Sequence, residues 1–169
     1  MAKKLQKKKS IEIVKFLIRL NILLIPFYLI TYFNLSVSQF QNGFALLISK
    51  ILNIIGYENT VSDFIIYIQN KLVIDISFDC IGWKSMYSLF ALVFAVREKL
   101  KKKLKFLIKW IPVVFILNIF RVIFNIIIGI KFGIKWMNIF HSILWQGGMI
   151  AIVLVIWYIW IKQTKLNTK

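Results

Sequence analysis

Residues 107–130, LIKWIPVVFILNIFRVIFNIIIGI, decide the fold. The run exceeds the roughly 20 apolar residues that span a hydrocarbon layer. It is not an isolated feature, because 60% of the 169 residues are hydrophobic and only 7 Gly and 2 Pro interrupt them. A soluble domain of this size cannot hide so much Ile, Leu and Phe in one core. The chain is an integral membrane protein.

Working outward, three more apolar runs are long enough or well enough flanked to cross. The expected spans are 14–33, 81–96, 106–130 and 139–161. The net charge of +17 is blocked rather than dispersed, in MAKKLQKKK, REKLKKKLK and KQTKLNTK. The positive-inside bias predicts such blocks at cytoplasmic ends and loops, and anionic headgroups attract the same lysines. Nucleic acid is therefore not an expected partner. The first residues resemble a signal peptide, but the apolar part at 11–33 is long and no small-residue cleavage site follows, so an uncleaved anchor is expected.

With the N-terminal tail 1–13 inside, the chain exits after residue 33 and returns through 81–96. The loop 97–105 is inside, 131–138 is an outer loop, and the tail 162–169 is inside. All three basic blocks then share the cytoplasmic side of a cell membrane. The segment 34–80 is left outside, with Glu58, Asp63, Asp75 and Asp79 against Lys50 and Lys71. A fifth span at 37–57 would push 97–105, net charge +5 (one Arg, five Lys, one Glu), to the outer side, against the bias. That stretch also carries Ser38, Gln39, Gln41, Asn42, Ser49, Lys50 and Asn53, as an interfacial amphipathic helix does. It is expected to lie on the outer surface or to re-enter shallowly. In the next segment, TVSDFIIYIQNKLVIDISFDC, two β-branched and aromatic runs flank QNK, and Ile74, Ile76 and Phe78 alternate with Asp75, Ser77 and Asp79. This predicts a β-hairpin, with a helix over 63–70 as the alternative. The expected fold is one all-α membrane helix bundle of about four transmembrane helices, with an extracytoplasmic amphipathic helix and a small β-hairpin before the second span.

Some polar residues do not belong in lipid. Asn118, Arg121 and Asn125 fall at i, i+3 and i+7, on one helical face. A mid-span arginine costs about 2.5–3.5 kcal/mol on insertion scales, so it faces a bundle interior or wet cavity and has a partner. A structural arginine held by the two asparagines satisfies the same facts. His141, the only histidine, suits an aromatic belt with Trp136 and Trp145. Cys80, the only cysteine, makes no intramolecular disulfide, and a lone cysteine is commonly a small buried hydrophobe.

Depth argues for grouping them. At about 1.5 Å per helical residue, Cys80 lies roughly 25 Å above Arg97, Arg121 roughly 18–24 Å above the Lys105 to Lys109 edge, and His141 roughly 31 Å above Lys162. All three fall in the outer half. A thiolate is a nucleophile, and neighbouring cations favour the ionised form. A Cys with a His as base, completed by an oxyanion stabiliser, is a recurring acyl-transfer arrangement. Arg121 can serve as that stabiliser. Lys84, one turn after Cys80, is a second candidate cation, or else a snorkelling interfacial lysine. One His and one Cys leave too few soft ligands for a metal site, and no cofactor is implied.

CIGWKSM, NIFRVIFN and FHSILWQGG, in this order on successive helices, resemble the exosortase/archaeosortase family. The matching positions are Cys80 with Gly82 and Ser85, Asn118 with Arg121, and His141. The resemblance covers roughly residues 40–150. It implies a multi-pass membrane cysteine peptidase or transpeptidase acting on exported proteins that bear a C-terminal sorting signal: a short motif, a transmembrane helix and a basic cluster. Cleavage is implied at the outer face through a Cys80 thioester, with hydrolysis or transfer to a membrane lipid or other acceptor as the outcome. One departure stands out: the family commonly has a small hydroxyl residue after the Cys, and here it is Ile81. The competing readings are a non-catalytic assembly subunit or scaffold with a structural Arg121, and an anion transporter, which lacks the expected inverted repeat. NLS at Asn34 is a glycosylation tripeptide close to the membrane.

Overall fold

The structure is a computed structural model that describes residues 2–68, 72–143 and 147–166. The chain runs α1 (Ala2–Tyr32), α2 (Ser38–Ile54), β1 (Asn59–Ser62), β2 (Ile65–Ile68), β3 (Leu72–Asp75), a 3-10 turn (Phe78–Ile81), α3 (Trp83–Ala95), α4 (Leu100–Phe132), α5 (Ile134–Ile143) and α6 (Met149–Leu166). It is a mostly helical membrane protein with one small sheet. Among the described residues, Ser10–Tyr32 and Leu100–Phe132 are long and apolar enough to cross a bilayer, and 149–164 forms a shorter apolar helix.

Several expected boundaries move. The tail 1–13 is helical from Ala2 and continuous with the first span. Residues 100–105 of the expected basic loop form the start of α4, because lysines are good helix formers. Its acid, Glu98, accepts a hydrogen bond from Lys102 at 3.0 Å, which holds the carboxyl below the usual range. The expected outer loop 131–138 shrinks to the neighbourhood of Gly133, whose φ of +88° lets the chain turn directly from α4 into α5. Helix α3 has only 13 residues, about 20 Å at the helical rise and shorter than a hydrocarbon core. The expected span 139–161 is divided between α5 and α6, with Gly147 and Gly148 in a π-type turn between them. Trp145 lies outside the described residues.

The hairpin is two strands of a larger unit. β2 and β3 pair antiparallel as expected, with the QNK connection outside the described residues, but β1 adds a third strand in the order β1-β2-β3. Asp63, at φ +55°, forms the tight β1–β2 turn, which Asp tolerates better than most residues. Residues 65–68 are therefore extended, not helical.

Two apolar clusters stack along α4. Toward its C-terminal half, Phe44, Ile48 and Leu52 of α2 pack with Ile66 and Ile68 of the sheet and with Val122 and Ile126. Toward its N-terminal half, Phe106, Leu107 and Val114 pack with Leu89 and Val93 of α3 and Val153 and Ile156 of α6. Helix α1 leans on this bundle through Tyr87, whose hydroxyl donates to the Leu23 carbonyl at 2.7 Å, and through Phe16 stacked on Trp157. Asn118, 0% exposed, sits where the two clusters meet on α4.

Candidate functional site

Cys80 is carried not by a helix but by the 3-10 turn between β3 and α3. The turn ends at Gly82, with φ +82°, in the left-handed region that favours glycine. A Cβ there would also lie 2.6 Å from Asn118 Cγ, so two independent constraints exclude a side chain. Asn118 uses the close approach: its Nδ2 donates to the Cys80 carbonyl at 2.8 Å. The turn is thereby tied to the middle of α4. Asp79 supports it from the other side, accepting from Trp83 Nε1 at 3.2 Å and from Lys84 Nζ at 2.7 Å.

One turn above Asn118 on α4, Arg121 is 9% exposed, and one further turn up is Asn125. Helix α5, reversing at Gly133, brings back His141, whose Nδ1 lies 3.2 Å from Asn125 Nδ2. Cys80, Arg121, Asn125 and His141 line one cavity of about 200 Å³, together with Val73, Asp75, Met137 and Asn138. The Arg121 guanidinium is within electrostatic reach of both Cys80 and His141. A second, more apolar cavity of about 370 Å³ lies between α1, α3, α4 and α6. Gly82, Lys84, Ser85, Asn118 and Arg121 line it along with Phe27, Met149 and Leu154. Arg121 is common to both.

The residues singled out from sequence thus fall into two groups. Cys80, Arg121, His141 and Asn125 share the first cavity; Gly82, Ser85, Asn118 and Lys84 stand behind the turn at the second. Lys84 pairs with Asp79 and does not line the cavity that holds the thiol. One residue was not anticipated. Ser77 Oγ lies 3.2 Å from Cys80 Sγ, so a hydroxyl does reach the sulfur, from three residues before it rather than one after. Ser77 immediately precedes the 3-10 turn Phe78–Ile81, and it is that turn, not a spacing visible in the sequence, that brings its hydroxyl to the sulfur. Among the described residues, no group of three or more His, Cys, Asp or Glu is placed to hold a metal ion.

These features define a helical membrane protein whose cysteine, arginine and histidine converge on a cavity beside a small sheet. The family model described as transmembrane exosortase matches residues 7–159, and the chain belongs to that family, whose members are membrane-embedded sorting peptidases and transpeptidases. No curated protein and no solved structure matches the chain.

Proposed function

We propose that this protein is a membrane cysteine peptidase or transpeptidase that cleaves a C-terminal sorting signal from exported proteins. The observation that carries this reading is the single cavity lined by Cys80, Arg121 and His141 from three separate elements. Fold membership alone assigns no chemistry; the grouping of a nucleophile, a base and a buried cation in one cavity supports this reading.

In the proposed route His141 takes the proton of the Cys80 thiol, and the resulting thiolate attacks a peptide carbonyl. The electron pair moves to the carbonyl oxygen, where the Arg121 guanidinium offsets the charge in a site shielded from water. Collapse breaks the C–N bond, His141 gives its proton to the leaving amine, and a thioester remains. His141 then takes a proton from water or an acceptor amine, whose attack releases Cys80. Asn125 orients the ring. Its Oδ1 is buried and has no hydrogen-bond partner among the described residues. Turning the amide lets Oδ1 accept from Nδ1–H and leaves Nε2 as the base. Asn118 and Gly82 are positioning residues, acting through the turn that bears the sulfur.

The substrate is a membrane-anchored protein ending in a motif, a transmembrane helix and a basic cluster. The basic cluster lies on the cytoplasmic side with both termini of the enzyme, and the cavity opens at the outer face. The apolar second cavity meets the first at Arg121, which suits a membrane lipid as acceptor. Four crossings, with α3 and α5–α6 as the second and fourth, complete this topology. The test is co-expression with a protein of the same genome bearing such a C-terminus. Cys80→Ala, Arg121→Gln and His141→Ala are each expected to abolish its processing, since loss of a triad-type member costs on the order of 10⁴-fold or more. Processing retained by Cys80→Ala rules out the route.

A further inference from the structure

We infer that β3 is a docking edge for the substrate's main chain, and that the scissile peptide enters the site as an added fourth strand. The inference rests on the function proposed above and adds how the substrate is held.

The register settles which backbone groups of β3 are in use. Ile76 N–H donates to the Phe64 carbonyl at 3.0 Å, which makes Phe64 and Ile76 a hydrogen-bonded pair. Moving by two along the antiparallel ladder makes Ile74 with Ile66, and Leu72 with Ile68, the next such pairs. The pairs between them, Val73 with Tyr67 and Asp75 with Ile65, are of the non-hydrogen-bonded kind. Their N–H and C=O groups point away from β2. Among the described residues, no strand pairs with β3 on that side.

This free edge is also a wall of the site. Val73, Ile74, Asp75 and Ile76 line the same cavity as Cys80, Arg121 and His141. An unpaired strand edge is a template for another chain, and β-augmentation supplies affinity from main-chain hydrogen bonds. Val73 and Asp75, the two residues with outward main-chain groups, are both exposed. An extended chain suits a cavity of about 200 Å³ better than a helix about 10–12 Å across with its side chains. An exported protein whose transmembrane helix stays in the bilayer then runs extended past Val73 and Asp75 to reach Cys80. The occupant is the substrate's own polypeptide between its folded part and its membrane helix.

The test uses purified full-length protein in detergent and three electrophiles: iodoacetamide, acetyl-alanine chloromethyl ketone and acetyl-tetra-alanine chloromethyl ketone. In the ketones the Cys80 thiolate displaces chloride and a carbon–sulfur bond forms, so the alkylation rate reports delivery to the sulfur. One or two added main-chain hydrogen bonds are expected to make the tetra-alanine probe about tenfold faster than the mono-alanine probe. Val73→Pro removes one outward N–H without touching the β2 ladder, and abolishes that advantage. Val73→Ala keeps it, each protein's ketone rates being divided by its own iodoacetamide rate. Should the proline variant fail to fold, tetra-alanine probes N-methylated at one amide at a time are applied to the unaltered protein, and alternate positions are expected to lose the advantage. Equal rates for long and short probes, an undiminished advantage in Val73→Pro, or indifference to N-methylation overturns the docking edge and leaves Cys80 as the nucleophile. A Cys80 inert to iodoacetamide in every variant overturns the nucleophile itself.

Discussion

At the scale of single residues, the 3-10 turn explains why part of the site is legible in sequence and part is not. Asn118, Arg121 and Asn125 announce themselves, because a helical period places three costly polar groups on one face of an apolar run. Their partners are the surprise. Asn118 does not hold Arg121 in a purely structural cluster; it reaches across to the Cys80 carbonyl. Ser77 was hidden for a different reason: it alternates with Ile76 and Phe78 as any outward strand residue does, and only the turn swings it back onto the sulfur. Its hydroxyl is placed to donate to a thiolate, and hydrogen bonds to charged groups are the stronger kind. Ser77→Ala is expected to slow iodoacetamide alkylation of Cys80 by about tenfold or more, from the roughly 1.5–3 kcal/mol such bonds contribute. Ser77→Thr should restore most of it. An unchanged rate in Ser77→Ala would show that the hydroxyl only accepts from the thiol.

At the scale of elements, amphipathic periodicity reads well and short extended segments do not. Gln41, Phe44, Ala45, Ile48, Ser49 and Leu52 repeat at helical spacing and are the buried face of α2; of the polar residues that argue against a fifth span, Gln41 and Ser49 lie on that face, while Ser38, Gln39, Lys50 and Asn53 are exposed. β1 escaped because Asn59–Ser62 is four residues with only Thr60 and Val61 in its favour, and pairing with β2 rather than propensity makes it a strand. The late start of α3 has a backbone cause, the left-handed Gly82. The sheet and α2 brace the turn that carries Cys80, so damage to their contact should be costly. Ile48, fully buried against the sheet, should lose about 2–5 kcal/mol when changed to Ala. Ile54 on the open face, 84% exposed, should change by no more than about 0.5 kcal/mol. Thermal unfolding of the two variants in the same detergent measures the contrast. Equal destabilisation would mean that the outer face of α2 is also covered in the intact protein.

At the scale of the whole molecule, charge carries the orientation and packing carries the site. The positive-inside bias predicts three basic blocks on one side, whereas no property of the sequence says that α5 folds back along α4 to return His141 beside Asn125. That reversal depends on Gly133 and on close contact at Gly129, where an added Cβ would meet Met137 Sδ at 2.8 Å. Orientation and site can be tested together. In intact spheroplasts a membrane-impermeant maleimide is expected to label Cys80. In a Cys80→Ala protein carrying Lys99→Cys, labelling should appear only after permeabilisation, because residue 99 lies between α3 and α4 in the basic connection. The two sites answer the alternative topology as well. If 37–57 crossed the bilayer, the chain after α2 would begin on the cytoplasmic side, Cys80 would be shielded, and Lys99→Cys would be labelled in intact cells. That inverted pattern would place the thiol where an exported substrate never passes, and the sorting function would fall with it.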